Sequence, residues 1–196
     1  MIALAPPLRL AEPADGPVLA ELVNFAGEGL PLYVWGTMAA PGQDAWEIGR
    51  ERLARKAAEG QVIVIDEGRG PVTGLTGYPI PAMPGPIPDD MPALFRPLQE
   101  LENLAPASWY VNILACYPAE RGRGLGTKLL GLAESMAMAE GLKAMSLIVA
   151  DTNAGARRLY ERVGYREWAR RLTVREGWET PTREWVLMTK DITGRG

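Results

Sequence analysis

Arg121-Gly122-Arg123-Gly124-Leu125-Gly126-Thr127 separates two runs of opposite periodicity. Upstream, Trp109-Tyr110-Val111-Asn112-Ile113-Leu114-Ala115-Cys116-Tyr117 is rich in aromatic and β-branched residues and stops at Pro118, so it reads as a strand. Downstream, Leu125, Leu129, Leu132 and Met136 recur at helical spacing. A strand that turns through glycines into a helix points the first unbonded N–H groups of that helix outward. Those groups and the positive end of the helix dipole favour a phosphate, provided glycines let the backbone come close. Arg121 and Arg123 add long-range attraction for an anion.

Two common phosphate motifs do not fit the spacing. A P-loop needs Gly-x-x-x-x-Gly-Lys-Ser/Thr, but Lys128 follows Thr127 and no glycine-lysine pair precedes it. The dinucleotide fingerprint Gly-x-Gly-x-x-Gly follows the first strand of an alternating unit, whereas Gly122-x-Gly124-x-Gly126 lies past mid-chain. The pattern Arg121-x-x-Gly124-x-Gly126 resembles the pyrophosphate-binding segment of the Gcn5-related N-acetyltransferases (GNAT), Gln/Arg-x-x-Gly-x-Gly/Ala. The whole of Leu114 to Gly126 is similar to that family's junction between its fourth strand and third helix. A second segment also matches. Leu147-Ile148-Val149 ends a strand-like run, Asn153 follows, and Leu159-Tyr160-Glu161-Arg162-Val163-Gly164-Tyr165 resembles the family's Leu-Tyr-x-x-x-Gly-Phe/Tyr.

The resemblance implies an α/β, GNAT-like fold, a mixed, mostly antiparallel central sheet of about six or seven strands flanked by helices. It implies acetyl-coenzyme A as donor, with no metal, and transfer to a primary amine of a small molecule or peptide by direct attack. Backbone N–H groups of Arg121, Gly122, Arg123, Gly124, Leu125, Gly126 and Thr127 would hold the pyrophosphate, and the side chains of Arg121 and Arg123 are secondary. The backbone of Leu114, Ala115 and Cys116 would pair with the pantetheine arm as an added strand. A backbone N–H near Cys116 would stabilise the oxyanion of the tetrahedral state. Tyr160 matches the tyrosine that protonates the leaving thiolate. Asn153 matches the asparagine near the pantetheine, and it can also cap the helix beginning at Ala154.

Composition narrows the classes. With 196 residues, 47% hydrophobic and 23% charged, the chain suits one globular domain, 1–196, with a proline-rich insertion at about 79–106. No apolar run approaches a membrane span, and Met1-Ile2-Ala3-Leu4-Ala5-Pro6-Pro7 lacks the basic n-region of a signal peptide. The expected location is therefore cytoplasmic, with no membrane partner. A net charge of −3 argues against nucleic acid as a partner. The chain has no histidine, which excludes Ser-His-Asp and Cys-His catalysis and most zinc sites. The one cysteine, Cys116, lies in an apolar strand pattern and reads as a core residue rather than a nucleophile.

The remaining chain reads as follows. Leu8-Arg9-Leu10 forms a first strand. Pro13 and Asp15 open a helix through Val18, Leu19, Leu22 and Val23, which Gly27, Gly29 and Pro31 break. Tyr33, Val34 and Trp35 fall in an irregular segment that either lines a substrate pocket or fills the core. Asp44 caps a helix from Ala45 to Glu59, and Gly60 stops it. Val62 to Ile65 and Val72 to Tyr78 form a strand pair. Eight prolines from Pro79 to Pro106 forbid a long regular element. Pro79 to Pro88 reads as an extended loop and Pro92 to Asn103 as a short helix, together serving as substrate wall, dimer contact or plain insertion. Two strands, Tyr165 to Val174 and Arg183 to Lys190, flank a loop containing Trp178.

The base for the acceptor amine is not legible. Glu100, Glu102, Tyr110 and Asn112 lie near where family members place such a group, and Asp89 and Asp90 sit in the insertion. The acceptor is open among aminoglycoside, polyamine, amino acid and protein N-terminus, and a homodimer is open as well. The alternative from another class is a non-catalytic acyl-coenzyme A-binding sensor.

Overall fold

The computed structural model describes residues 3–194, so Met1, Ile2, Arg195 and Gly196 lie outside it. The strands are β1 (Leu8–Leu10), β2 (Ile63–Asp66), β3 (Pro71–Pro79), β4 (Trp109–Cys116), β5 (Ala144–Ala150), β6 (Arg166–Leu172) and β7 (Glu184–Asp191). The helices are α1 (Gly16–Ala26), α2 (Leu30–Met38), α3 (Ala45–Ala58), α4 (Arg96–Asn103), α5 (Leu125–Ala139) and α6 (Ala154–Arg162). One seven-stranded sheet runs β1-β2-β3-β4-β5-β7-β6. Its pairing is mixed: β4 and β5 are parallel, while β1–β2, β2–β3, β5–β7 and β6–β7 are antiparallel. The chain divides into two compact units, residues 3–76 with 113–129, and residues 77–112 with 130–194. The division falls inside β3, β4 and α5.

In the first unit, α1, α2 and α3 share an apolar cluster with the strands. Leu19, Trp35, Leu53, Val62 and Val64 are buried together. Asp44 caps α3 as expected, its carboxylate accepting from Trp46 N–H at 3.0 Å. Trp35 packs directly on Gly49 of α3, where a Cβ would stand 2.4 Å from its ring. This corrects the reading of Tyr33, Val34 and Trp35 as irregular, because they are helical within α2. Pro31 is tolerated in the first helical turn, where its missing N–H would have no partner. Gly29, at φ 84°, makes the left-handed turn that starts the helix. Trp35 is a core residue, 5% exposed.

In the second unit, β5 pairs along its full length with β7, from Ala144↔Asp191 to Ala150↔Trp185. Ser108 and Ser146 share a buried hydroxyl hydrogen bond of 2.7 Å. The connecting loop between β6 and β7 is less exposed than its polar sequence suggests. Its Trp178 is buried and stacks on Trp185 at 5.9 Å, with the rings 7° from parallel. The short helix expected from Pro92 begins at Arg96 instead, with Pro97 in its first turn. In α5 the buried stripe is Leu129, Leu130, Ala133, Glu134 and Ala137, while Leu132 and Met136 are half-buried. The buried face is therefore rotated from the one leucine spacing alone suggests.

Candidate active site

The turn between β4 and α5 has the backbone a phosphate cradle needs. Gly122 and Gly124 adopt φ of 81° and 78°, the left-handed region that side chains rarely enter. A Cβ at either would meet nothing within 4 Å, so both glycines face open space. The first helical hydrogen bond to close is Lys128 N–H to Gly124 C=O at 3.0 Å. Leu125, Gly126 and Thr127 therefore sit in the first turn, whose N–H groups have no acceptor within the helix. An anionic diphosphate fits that chemistry: glycine permits close approach, and the N–H groups and helix dipole supply the attraction.

The arginine side chains of the turn differ. Arg123 donates to both carboxylate oxygens of Glu67, at 2.8 Å each, and to Glu120. Those pairs hold the Glu67 carboxyl below its usual range. Arg121 is exposed and follows the single turn Pro118–Glu120.

Upstream, Leu114 and Cys116 are half-buried and Ala115 is buried. Burial pushes the Cys116 thiol above its ordinary value, so it stays protonated near neutral pH, as a residue without a nucleophilic role would. Tyr117 N–H is committed to Val72 C=O at 3.2 Å. Its hydroxyl donates to Glu21 at 2.6 Å.

In the second unit, the register of β4 on β5 runs from Trp109↔Met145 to Val111↔Leu147, and Asn112 lies outside it. Asn153 caps α6, its Oδ1 accepting from Ala156 N–H at 3.1 Å. Tyr160 is 7% exposed, with its ring 5.9 Å from that of Tyr165. Burial pushes the Tyr160 hydroxyl up to about 12, so it holds its proton at neutral pH.

The insertion and the start of β4 line an open cavity of about 540 Å³ that includes Phe95, Glu102, Tyr110 and Asn112 in its wall. Tyr78 O–H donates to Glu102 at 2.8 Å, and the rings of Tyr78 and Tyr110 lie 5.3 Å apart. Sequence reasoning missed Tyr78 and Phe95 and did not separate Glu102 from Glu100. The two acids differ by their partners: Glu100 accepts from Arg171 at 2.8 Å, and Glu102 faces a tyrosine. Neither partner lies at a spacing that a sequence motif reveals.

A profile of the acetyltransferase (GNAT) family matches residues 34–165, more than half of the chain. Comparison with curated proteins finds no match. Among solved structures, the chain is similar to an acetyltransferase at 22% identity and TM-score 0.61, covering 94% of this chain and 98% of that one. It is also similar to the ribosomal-protein-alanine N-acetyltransferase from Brucella melitensis, at 20% identity and TM-score 0.59, covering 94% and 98%. A third is the PaiA N-acetyltransferase from Thermoplasma acidophilum, solved in complex with coenzyme A, at 12% identity and TM-score 0.57, covering 94% and 97%. At such identities the structural likeness speaks to the fold, which agrees with the sheet order above. Both signature segments, Arg121 to Thr127 and Asn153 to Tyr165, lie inside the matched residues, and on that match the chain belongs to the GNAT family of acetyltransferases.

Proposed function

We propose that the protein is an acetyl-coenzyme A-dependent N-acetyltransferase that transfers the acetyl group to a primary amine by direct attack. The observation that carries this reading is the pair Gly122 and Gly124, left-handed and open to solvent, at the start of α5 in a chain of this family. Acetyl-coenzyme A supplies an activated thioester. The N–H groups of Gly122 through Thr127 bind its pyrophosphate, with Gly122, Gly124 and Gly126 allowing the approach, whereas the Arg121 N–H expected among them is held by Pro118 C=O at 3.3 Å. The backbone of Leu114, Ala115 and Cys116 and the side chain of Asn153 orient the pantetheine arm.

An N–H near Cys116 stabilises the negative charge that develops on the carbonyl oxygen. The amine nitrogen forms the new N–C bond as the C–S bond breaks. Tyr160 gives its proton to the departing sulfur and regains one released from the nitrogen through water. Its raised pKa supports this role, because the acid must arrive protonated.

The test is amine-dependent thiol release. Purified protein, acetyl-coenzyme A and pooled primary amines are followed with a thiol reagent. Thiol release that needs both an amine and the protein is expected, with the acetylated amine recovered by mass spectrometry. Binding of the donor with no release from any pool would instead make the chain an acyl-coenzyme A sensor.

A further inference from the structure

The cavity in the second unit has a one-sided chemistry. Its wall carries two carboxylates, Asp90 and Glu102, and no lysine or arginine. Two cations that bond the insertion and α4, Arg96 and Arg171, already have partners. Arg96 donates to the carbonyls of Pro88 and Asp89 at 3.3 and 3.4 Å, and Arg171 is held by Glu100. The remaining wall is mostly apolar and aromatic, with Met91, Phe95, Leu98 and Tyr110, and adds the amides of Gln99 and Asn112. At about 540 Å³ the space suits a small organic molecule.

Glu102 is the carboxylate of this wall with a defined partner. It is half-buried on α4, and the group that satisfies it is a neutral hydroxyl, Tyr78 O–H at 2.8 Å. Burial holds its carboxyl above the usual range, and the Tyr78 hydrogen bond opposes that rise. A carboxylate in such a place lacks a counter-charge. A cationic amine supplies one, and an apolar body on that amine suits the Met91, Phe95 and Leu98 side chains of the same wall. A ligand carboxylate or phosphate would meet two like charges and no lysine or arginine in the wall.

We propose that this cavity receives the acceptor as a primary amine on an uncharged apolar body, with Glu102 pairing with the ammonium and taking its proton. The proposal rests on the N-acetyltransferase reading above and names the acceptor class of that reaction. One ammonium proton passes to the Glu102 carboxylate and then to solvent. The freed nitrogen lone pair makes the N–C bond, the thiolate leaves with the Tyr160 proton, and the second nitrogen proton restores Tyr160. The net release is one proton per turnover. Burial and Tyr78 from β3 set the titration of Glu102, and the titratable groups that share its cavity wall are Tyr110 from β4 and Asp90 from the insertion.

The experiment compares 2-phenylethylamine with phenylalanine, which differ by the carboxylate, on the wild-type chain, Glu102→Gln and Tyr78→Phe. Amine binding is titrated directly with and without coenzyme A, and kcat/KM is taken across pH. The expected result is a preference of at least about tenfold for 2-phenylethylamine. Glu102→Gln should raise KM for the amine, remove the acidic limb of kcat/KM and leave acetyl-coenzyme A affinity within about twofold. Tyr78→Phe should move that limb to higher pH, because the lost hydrogen bond no longer favours the carboxylate. Equal or better use of phenylalanine, an acidic limb unchanged in Glu102→Gln, or no amine binding in either state overturns the proposal. Failure of the wild type to bind acetyl-coenzyme A would overturn the donor reading alone. Binding of 2-phenylethylamine that Glu102→Gln weakens would still place the amine in this cavity.

Discussion

The guanidinium of Arg123 is clamped to Glu67, reaching both carboxylate oxygens at 2.8 Å from the turn between β2 and β3. With Glu120 also on Arg123, two negative charges stand beside a backbone arranged for an anion. Glu67→Gln should therefore raise donor affinity about two- to threefold at low salt, and the gain should fade as ionic strength rises. Calorimetric titration with coenzyme A at two salt concentrations measures it. Weaker binding in the variant would mean that the clamp holds the cradle in shape.

Tyr160→Phe should lower kcat by about 100-fold while donor affinity stays within a few-fold. The hydroxyl is pushed from 10.0 up to about 12 by burial, so the wild-type rate should not fall on its account at pH 8 to 10. The same shift has a stability consequence. A group whose folded pKa lies above its unfolded value contributes stability that is intact below pH 10 and is lost as pH rises through about 12. Denaturant unfolding at pH 8 and pH 11 should show the alkaline loss in the wild type and a smaller one in Tyr160→Phe.

Lys190 and Glu134 form an ion pair with side chains only 5% and 7% exposed, and the ammonium also lies 5.8 Å from the centre of the Tyr165 ring. Removing one partner leaves the other charge buried, which costs about 3–5 kcal/mol. Glu134→Gln should show that loss in urea unfolding. Replacing both, as Glu134→Leu with Lys190→Met, should recover most of it. A single-variant loss under about 1 kcal/mol would show that water reaches the pair.

Two glycines test the packing by opposite signs. Glycine in a helix interior costs about 0.5–1 kcal/mol relative to alanine. At Gly131 of α5 a Cβ would meet nothing within 4 Å, so Gly131→Ala should stabilise by roughly that amount. At Gly49 the Cβ would lie 2.4 Å from the buried Trp35 ring, and overpacking of about 1–3 kcal/mol exceeds the helix gain. Gly49→Ala should be the less stable variant in a thermal melt.

What was legible in the chain follows how local the physics is. The strand–glycine–helix junction declared itself because Trp109 to Thr127 carries its own periodicity, stop and turn. β1, the Asp44 cap and the Asn153 cap were equally local. α2 was hidden because Gly29 and Pro31 read as breakers, although at a helix start each is favourable. Trp178 lies in the loop as read, but its burial was hidden because its stacking partner, Trp185, belongs to the following strand. The roles of Glu100 and Glu102 separate only through Arg171 and Tyr78, which the fold brings from distant strands. The cavity was illegible for the same reason, since its wall joins a proline loop, a short helix and a strand.

The central claim is that the turn Arg121 to Thr127 binds the pyrophosphate of an acyl-coenzyme A donor. The most direct measurement is calorimetric titration of acetyl-coenzyme A onto the wild type and Gly124→Asp, with a thermal melt of each. The account predicts saturable binding to the wild type and a loss of at least about 100-fold, roughly 2.7 kcal/mol, in a Gly124→Asp chain that still melts cooperatively. Retained affinity in a folded Gly124→Asp, or no binding to the wild type, would contradict it.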